Sequence, residues 1–436
     1  MRQYLHKLKN RPFAIKRGKF VAGAVLGSVL AGGFIATTTG ATLTPIKISV
    51  GFAHQAGFAH FYLAKKNGYF AERGIDASLI TTGTDVSGAL QAGTVQFGSG
   101  NSGETLLTLA RTNPTIDIVS LGAAVRAETI GLMGATVGSR DALPPIADVL
   151  ADLNNPLEQR SVLKNALKGK IIGYTGFLAN RKRVENILLT HNAGNDYVFR
   201  CTTILLTPAL VNQPNCVVDY DPNKINLMVV GAGTPQLLAN AQATNGATDG
   251  VNVLNTNAID VIADAPIWRV PALYNDALGL DPARTDTYTR LEFKDLGAPP
   301  SYIETVGALK SYVAANPKTA GDVMKAWQKG LIRAIAFPEE AIDAFVALNP
   351  LPRPAGMTDD QYAAATAHYR AVSAVQWYAV RALTQDADSD AHGIGWQNQA
   401  VFDGQQQFFV DSGILAAKVC TPPLTQCMTN AYLPVE

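Results

Sequence analysis

Ile46-Lys-Ile-Ser-Val-Gly51 runs into Phe52-Ala-His54-Gln55-Ala-Gly57 and then into Phe58-Ala-His-Phe-Tyr-Leu-Ala-Lys-Lys-Asn-Gly-Tyr-Phe70. The first block alternates apolar and polar residues as a half-buried strand does, and the third places apolar residues at helical spacing. The segment between them is small and polar. The same unit recurs at once. Asp76–Ile80 reads as a second strand ending in Thr81-Thr82-Gly83-Thr84, and Val95-Gln-Phe-Gly98 as a third, followed by Ser99-Gly-Asn101-Ser102-Gly-Glu104 and a helix expected over Thr105–Arg111. A fourth strand, Ile116–Ala123, ends close to Arg126. Strands alternating with helices predict an α/β fold, and in such sheets ligands bind beyond the carboxyl ends of the strands. Helix N-termini there present unpaired N–H groups and a partial positive charge.

The pattern changes after Arg126. Ala127–Met133 reads as a strand leaving the first lobe, Pro144–Leu153 and Gln159–Leu167 as helices, and Lys170–Tyr174 as a strand that feeds Thr175-Gly-Phe into the helix Leu178–Asn192. Residues 195–224 contain Cys201, Cys216 and three prolines and read as an insertion. Strand Asn226–Val230 then delivers Gly231-Ala-Gly-Thr234 to a helix over Pro235–Ala243, and Ile259–Ala263 is the next strand. From about Pro266 the chain is expected to return to the first lobe, with helices over Asn316–Ala336, Glu339–Leu348, Asp359–Leu383 and Asn398–Ser412. The expected division is 1–41 leader, 42–126 first lobe, 127–265 second lobe and 266–436 first lobe again, with two crossings between lobes.

With 36 Lys+Arg against 35 Asp+Glu, the charge of +1 offers no electrostatic footprint for nucleic acid or an anionic membrane. At 436 residues the chain exceeds the size at which single cores stop growing, which agrees with two lobes. Basic residues from Arg2 to Lys19 precede the uncharged run Phe20–Ala36 and Thr37-Thr-Thr-Gly-Ala41, the layout of a cleaved export signal. An uncleaved anchor is the alternative reading of that run. No Cys follows it to accept a lipid, so a free periplasmic protein is expected. Its four Cys fall as two local pairs, Cys201 with Cys216 and Cys420 with Cys427, which in an exported chain predicts structural disulfides, the local pairing being the expected one of three formally possible connectivities. Neither pair has C-x-x-C spacing or neighbouring His, so no metal site and no cofactor are expected.

Several segments resemble one family. Ile46–Gly57, Lys65-Lys-Asn-Gly-Tyr-Phe-Ala-Glu-Arg-Gly-Ile-Asp76 and Ala89-Leu-Gln-Ala-Gly-Thr-Val-Gln-Phe-Gly98 are similar to the opening of the solute-binding proteins of ABC importers for sulfonates, taurine and nitrate. That superfamily also includes proteins that bind or make the thiamine pyrimidine. Leu167–Thr175, Asn257–Trp268, Ala315-Asn-Pro317 and Phe409-Val-Asp-Ser-Gly-Ile-Leu415 extend the resemblance over most of 46–436. It implies a two-lobe periplasmic binding protein fold of type II, with a mixed sheet in each lobe, and a membrane permease as partner. Trp268 falls at the family's aromatic position near the hinge.

Candidate ligand contacts follow from position and chemistry. His54, Gln55, Thr81, Ser99, Asn101 and Ser102 lie at the carboxyl ends of the first three strands, and Thr175 and Thr234 at helix starts of the second lobe. Arg126 could hold a carboxylate or sulfonate bidentately, and Trp268 could pack against an organic group. These donors, without a carboxylate cluster, predict a small anionic ligand; the resemblance implies a sulfonate of the taurine class, or nitrate, with a thiamine pyrimidine precursor or aromatic carboxylate as the alternative. Gly98-Ser-Gly-Asn-Ser-Gly103 fits G-x-G-x-x-G, but it follows the third strand and no acid ends the next one, so a dinucleotide is not expected. No G-x-S-x-G elbow occurs and the His are scattered, so the chain reads as a monomeric binder and not an enzyme. Two other classes stand beside it: a membrane-anchored sensor, and an enzyme like the pyrimidine synthases, for which His54 or His60 would be the histidine consumed. The cysteine-rich motif of those synthases is absent.

Overall fold

The computed structural model describes residues 42–51, 54–83, 85–111, 115–127, 131–135, 167–175, 184, 197–199, 221–230, 261–264, 288–296, 298–353 and 355–434. Its first sheet begins with β1 (Thr44–Ser49), in which Ile46 and Ile48 are buried while Lys47 is exposed, as the alternation required. Helix α1 (Ala59–Lys66) follows, then β2 (Ile75–Ile80), α2 (Val86–Gln91), β3 (Phe97–Gly100), α3 (Ser102–Leu109) and β4 (Ile118–Val125). The sheet closes with β11 (Glu304–Leu309), giving the order β2-β1-β3-β11-β4. β2 and β3 run parallel to β1, and β11 runs antiparallel to both β3 and β4.

The second sheet has the order β10-β5-β9-β6-β8-β7. Its strands are β5 (Gly131–Ala135), β6 (Ile171–Thr175), β7 (Tyr197–Phe199), β8 (Ile225–Val230), β9 (Val261–Asp264) and β10 (Tyr288–Glu292). Here β5 is the reversed strand, antiparallel to β9 and β10, while β6 pairs parallel with β8 and β9. Each sheet is thus mixed, and in each the strand that arrives by a crossing is the antiparallel one. This is the two-lobe α/β organisation that the resemblance implied. The second sheet extends to Glu292, beyond the expected return near Pro266, because Tyr288–Glu292 pairs with β5.

The crossings fix where the two sheets meet. Val125 ends β4 and Gly131 begins β5, opposite both Asp264 at the end of β9 and Glu292 at the end of β10. On the way back, Glu304 enters β11 opposite Val125. Both connections therefore join the carboxyl edge of one sheet to that of the other, and residues 126–130 span at most about 20 Å.

Helices α4 (Lys310–Ala315), α5 (Pro317–Ala336), α6 (Pro338–Leu348), α7 (Asp359–Arg381), α8 (Ala387–His392) and α9 (Gln399–Asp411) complete the first lobe. Prolines at their first turns start α5 and α6, and a Thr358/Gln361 capping box starts α7. Helix α1 is buried on nearly every face, from Ala59 to Ala64. It lies so close to α5 that a Cβ on Gly330 would stand 2.6 Å from Ala64 Cβ and 2.7 Å from His60 O.

Strand β4 is a sheet edge, yet all eight of its residues are buried. The reason is the carboxyl-terminal segment. Ser120 N–H donates to Cys427 O (2.9 Å), Thr429 N–H donates to Ser120 O (2.8 Å), and Ala123 N–H donates to Gly395 O (2.9 Å). The Cys420–Cys427 disulfide, with Cα atoms 6.0 Å apart, holds this cover in shape. An edge that would otherwise offer unpaired backbone groups is sealed.

Candidate functional site

The candidate site is the rim formed by the carboxyl ends of β1 to β4. Hydrogen bonds tie its first two loops together: Ser49 and Thr82 hydroxyls are 2.7 Å apart, and Thr82 N–H donates to Gly51 O at 3.2 Å. His54, Thr81, Thr82, Gly100 and Asn101 are partly exposed on this rim, whereas Ser99 is buried. His54 Nδ1 lies 2.6 Å from the Tyr62 hydroxyl. Burial holds the His54 imidazole below the ordinary histidine range, so it is the neutral form that faces the rim.

Three of the expected contacts are committed to the protein interior. Gln55 is fully buried, and its Oε1 accepts from Gln376 Nε2 of α7 at 2.8 Å. Ser102 is also fully buried; its hydroxyl donates to Gln405 Oε1 of α9 at 2.6 Å, and it accepts from Tyr302 N–H at 3.1 Å. Arg126, with a side chain 1% exposed, donates from Nε to Asp386 Oδ1 at 2.6 Å and from an Nη to the Trp396 carbonyl. Its guanidinium also stands over the Tyr302 ring, 5.3 Å from the centroid, and 3.9 Å from Asp388. Arg126, expected as a ligand contact, braces the forward crossing against α8 in this structure.

Helix α3 starts at Ser102 and not at Thr105. Asn101 is its N-cap and accepts from Glu104 N–H at 2.9 Å, while Ser102 N–H donates to Tyr302 O at 3.0 Å. Two donors that would have faced a ligand are thereby satisfied from within. Asp85 caps α2 in the same way, accepting from Gly88 N–H at 2.9 Å, and places a carboxylate at the edge of the rim. Among the candidate residues Arg126 is the one cation, and aspartates neutralise it.

Beneath the rim His60, named above only for the enzyme class, meets Glu304, which the sequence did not single out. His60 Nε2 and Glu304 Oε1 are 3.1 Å apart with both side chains at most 1% exposed, within ion-pair distance though not in hydrogen-bond geometry. Trp327 and Trp377 wall the imidazole, with ring centroids at 6.1 and 5.9 Å. Glu304 is the first residue of the returning strand. The only sequence signal for this pair was a carboxylate opening an otherwise apolar strand.

Thr175 ends β6, so its backbone sits at the carboxyl edge of the second sheet as expected, but its side chain lies outside the described residues. Thr234, Trp268, Cys201, Cys216, the 1–41 leader and most of the 195–224 insertion also lie outside them. Among the described residues there is no group of three His, Cys, Asp or Glu that could hold a metal. No described helix is long and apolar enough to cross a membrane.

Comparison with known proteins bears on this region. Residues 55–138 match the family described as NMT1/THI5 like, the stretch that includes the ends of β2 to β4 and the superfamily to which the resemblance pointed. No curated protein sequence matches the chain. Among solved structures, the chain is similar to the alkanesulfonate-binding protein SsuA from Xanthomonas axonopodis pv. citri bound to MOPS (13% identity, 87% of this chain and 97% of that one, TM-score 0.49). It is also similar to the periplasmic aliphatic sulphonate binding protein SsuA from Escherichia coli (14%, 86% and 89%, TM-score 0.48). A third is the Candida albicans CA3427 gene product, described as having the generic periplasmic binding protein fold (11%, 90% and 99%, TM-score 0.49).

Proposed function

We propose that this chain is the periplasmic solute-binding component of an ABC importer, exported by a cleaved leader and acting as a monomer, and that it carries out no chemical step. The two lobes close on a small solute and the closed form docks on a membrane permease. The observation that carries this reading is topological: both crossings join the carboxyl edges of the two sheets, so a solute held at the rim of β1 to β4 faces the second lobe across a short hinge. The NMT1/THI5-like match over residues 55–138 supports it.

The solute is a small anion, a sulfonate of the taurine class or nitrate, gripped by neutral donors. Arg126 is occupied, which leaves His54, Thr81, Thr82 and backbone N–H groups on the described rim. A second reading, which rests on the resemblance of the chain's opening segments to that superfamily, is a thiamine pyrimidine precursor or aromatic carboxylate. A thermal-shift screen of alkylsulfonates, nitrate, aromatic carboxylates and aminopyrimidines decides between them. A ligand present at about 100 times its dissociation constant adds about 2.7 kcal/mol of stability. Tight binding of a polyamine or quaternary amine, with no anion bound, overturns the proposal.

A further inference from the structure

His54 and Tyr62 form a unit whose proton placement can be worked out. Tyr62 lies on α1, is 2% exposed, and packs edge-on against Phe345 of α6 with ring centroids 5.1 Å apart. Its hydroxyl is 2.6 Å from His54 Nδ1, so one of the two groups donates to the other. Burial settles which. Among the described residues His54 Nδ1 is the hydrogen-bond partner of the enclosed Tyr62 hydroxyl. Were the phenol to accept from a protonated Nδ1, its own proton would be buried without an acceptor, at a cost of roughly 1–3 kcal/mol, whereas donating that proton to Nδ1 satisfies it. Burial raises the Tyr62 pKa and lowers that of His54, so the proton stays on the phenol and the imidazole stays neutral.

We propose that Tyr62 is a positioning residue that locks His54 in its Nε2–H tautomer, so that His54 meets a bound solute as a hydrogen-bond donor and never as an acceptor. A neutral imidazole free to exchange tautomers would serve either role. The lock selects solutes that present an acceptor to His54: a sulfonate or carboxylate oxygen, a nitrate oxygen or a ring nitrogen. The selectivity rests on the solute-binding role proposed above, whereas the tautomer does not.

The test begins without ligand. Two-bond ¹⁵N–¹H correlation spectra of labelled protein at about pH 7.5, roughly one unit above an unperturbed histidine, with His54 assigned by its loss in His54→Gln, should show an unprotonated, hydrogen-bonded Nδ1 and a protonated Nε2. Tyr62→Phe should shift that pattern toward tautomer averaging. The wild-type spectrum is read without any substitution, so a folding defect in that variant leaves the test intact. A protonated Nδ1 in the wild type overturns the inference, as does a His54 pattern unchanged by Tyr62→Phe. Titration with ethanesulfonate should then shift the His54 Nε2–H resonance, and Tyr62→Phe should weaken binding by about twofold, since roughly half of an averaging imidazole then presents the donor. If ethanesulfonate does not bind while the tautomer is as expected, the sulfonate reading of the solute fails and the lock stands.

Discussion

Replacing Arg126 separates a structural brace from a ligand grip. The guanidinium has four internal partners: Asp386 at 2.6 Å, the Trp396 carbonyl, Asp388 at 3.9 Å and the face of Tyr302. Removing one partner of a fully buried pair costs roughly 3–5 kcal/mol. The two aspartates are 38% and 33% exposed, so water recovers part of their solvation and the cost moves to about 2–3 kcal/mol. Arg126→Ala should therefore destabilise the first lobe by about that much. Arg126→Lys should recover less than half, because an ammonium cannot reach an aspartate and a carbonyl through one planar fork. Urea unfolding followed by tryptophan fluorescence is the assay, since Trp327, Trp377 and Trp396 all belong to the first lobe. In parallel, calorimetry with the best ligand from the screen should show a loss below about 1 kcal/mol in variants that remain folded. The opposite pattern, stability changed by less than about 1 kcal/mol and binding weakened by more than about 2 kcal/mol, would refute the brace and return Arg126 to the ligand.

The buried pair beneath the rim gives a second expectation: His60→Leu leaves Glu304 without its neighbour and should cost roughly 3–5 kcal/mol, while the double substitution His60→Leu with Glu304→Leu should regain much of it, as a double-mutant cycle in urea will read. Reducing the Cys420–Cys427 disulfide opens a short loop and should cost roughly 2–3 kcal/mol. Since that loop covers β4, hydrogen exchange at Ser120 and Thr429 should rise first. Non-reducing peptide mapping should also find Cys201 joined to Cys216, and free thiols there would remove that bridge from the account. Burial holds His54 and His368 below the ordinary value of 6.5, so the folded state binds fewer protons than the unfolded one in that range. Stability is full above about pH 6.5 and should fall as pH drops through it toward the folded pKa values; a urea midpoint flat from about pH 7.5 to 5 would contradict this.

What was legible in the sequence was local. Alternation in Ile46–Val50 and helical spacing from Phe58 placed β1 and α1, and α5, α6, α7 and α9 were found to within a few residues because each carries its own periodicity and start signal, whereas the short α8 was not expected. The errors have physical causes too. Tyr288–Glu292 reads Tyr-Thr-Arg-Leu-Glu, too short and polar to announce a strand, and it becomes one because β5 offers it an edge. Helix α3 begins three residues early because the Asn101 side chain caps Glu104, which a glycine-rich stretch conceals.

The site was legible only as a set of positions, since the fate of each side chain depends on residues far along the chain. Gln55 meets Gln376 across 321 residues, Ser102 meets Gln405 across 303, and Arg126 meets Asp386 across 260. A sequence pattern shows that an arginine follows a strand; it does not show that two aspartates on a distant helix will reach it. The consequence is chemical. Once Gln55, Ser102 and Arg126 are withdrawn into the first lobe, the described rim loses its one cation and keeps neutral donors beside the carboxylates of Asp85 and Glu104. An anion bound there relies on the geometry of its donors rather than on net charge, so affinity should depend only weakly on salt and strongly on where each acceptor oxygen falls. Such a rim can tell a sulfonate from a carboxylate by shape, and the fixed proton on His54 is the contact best placed to do so.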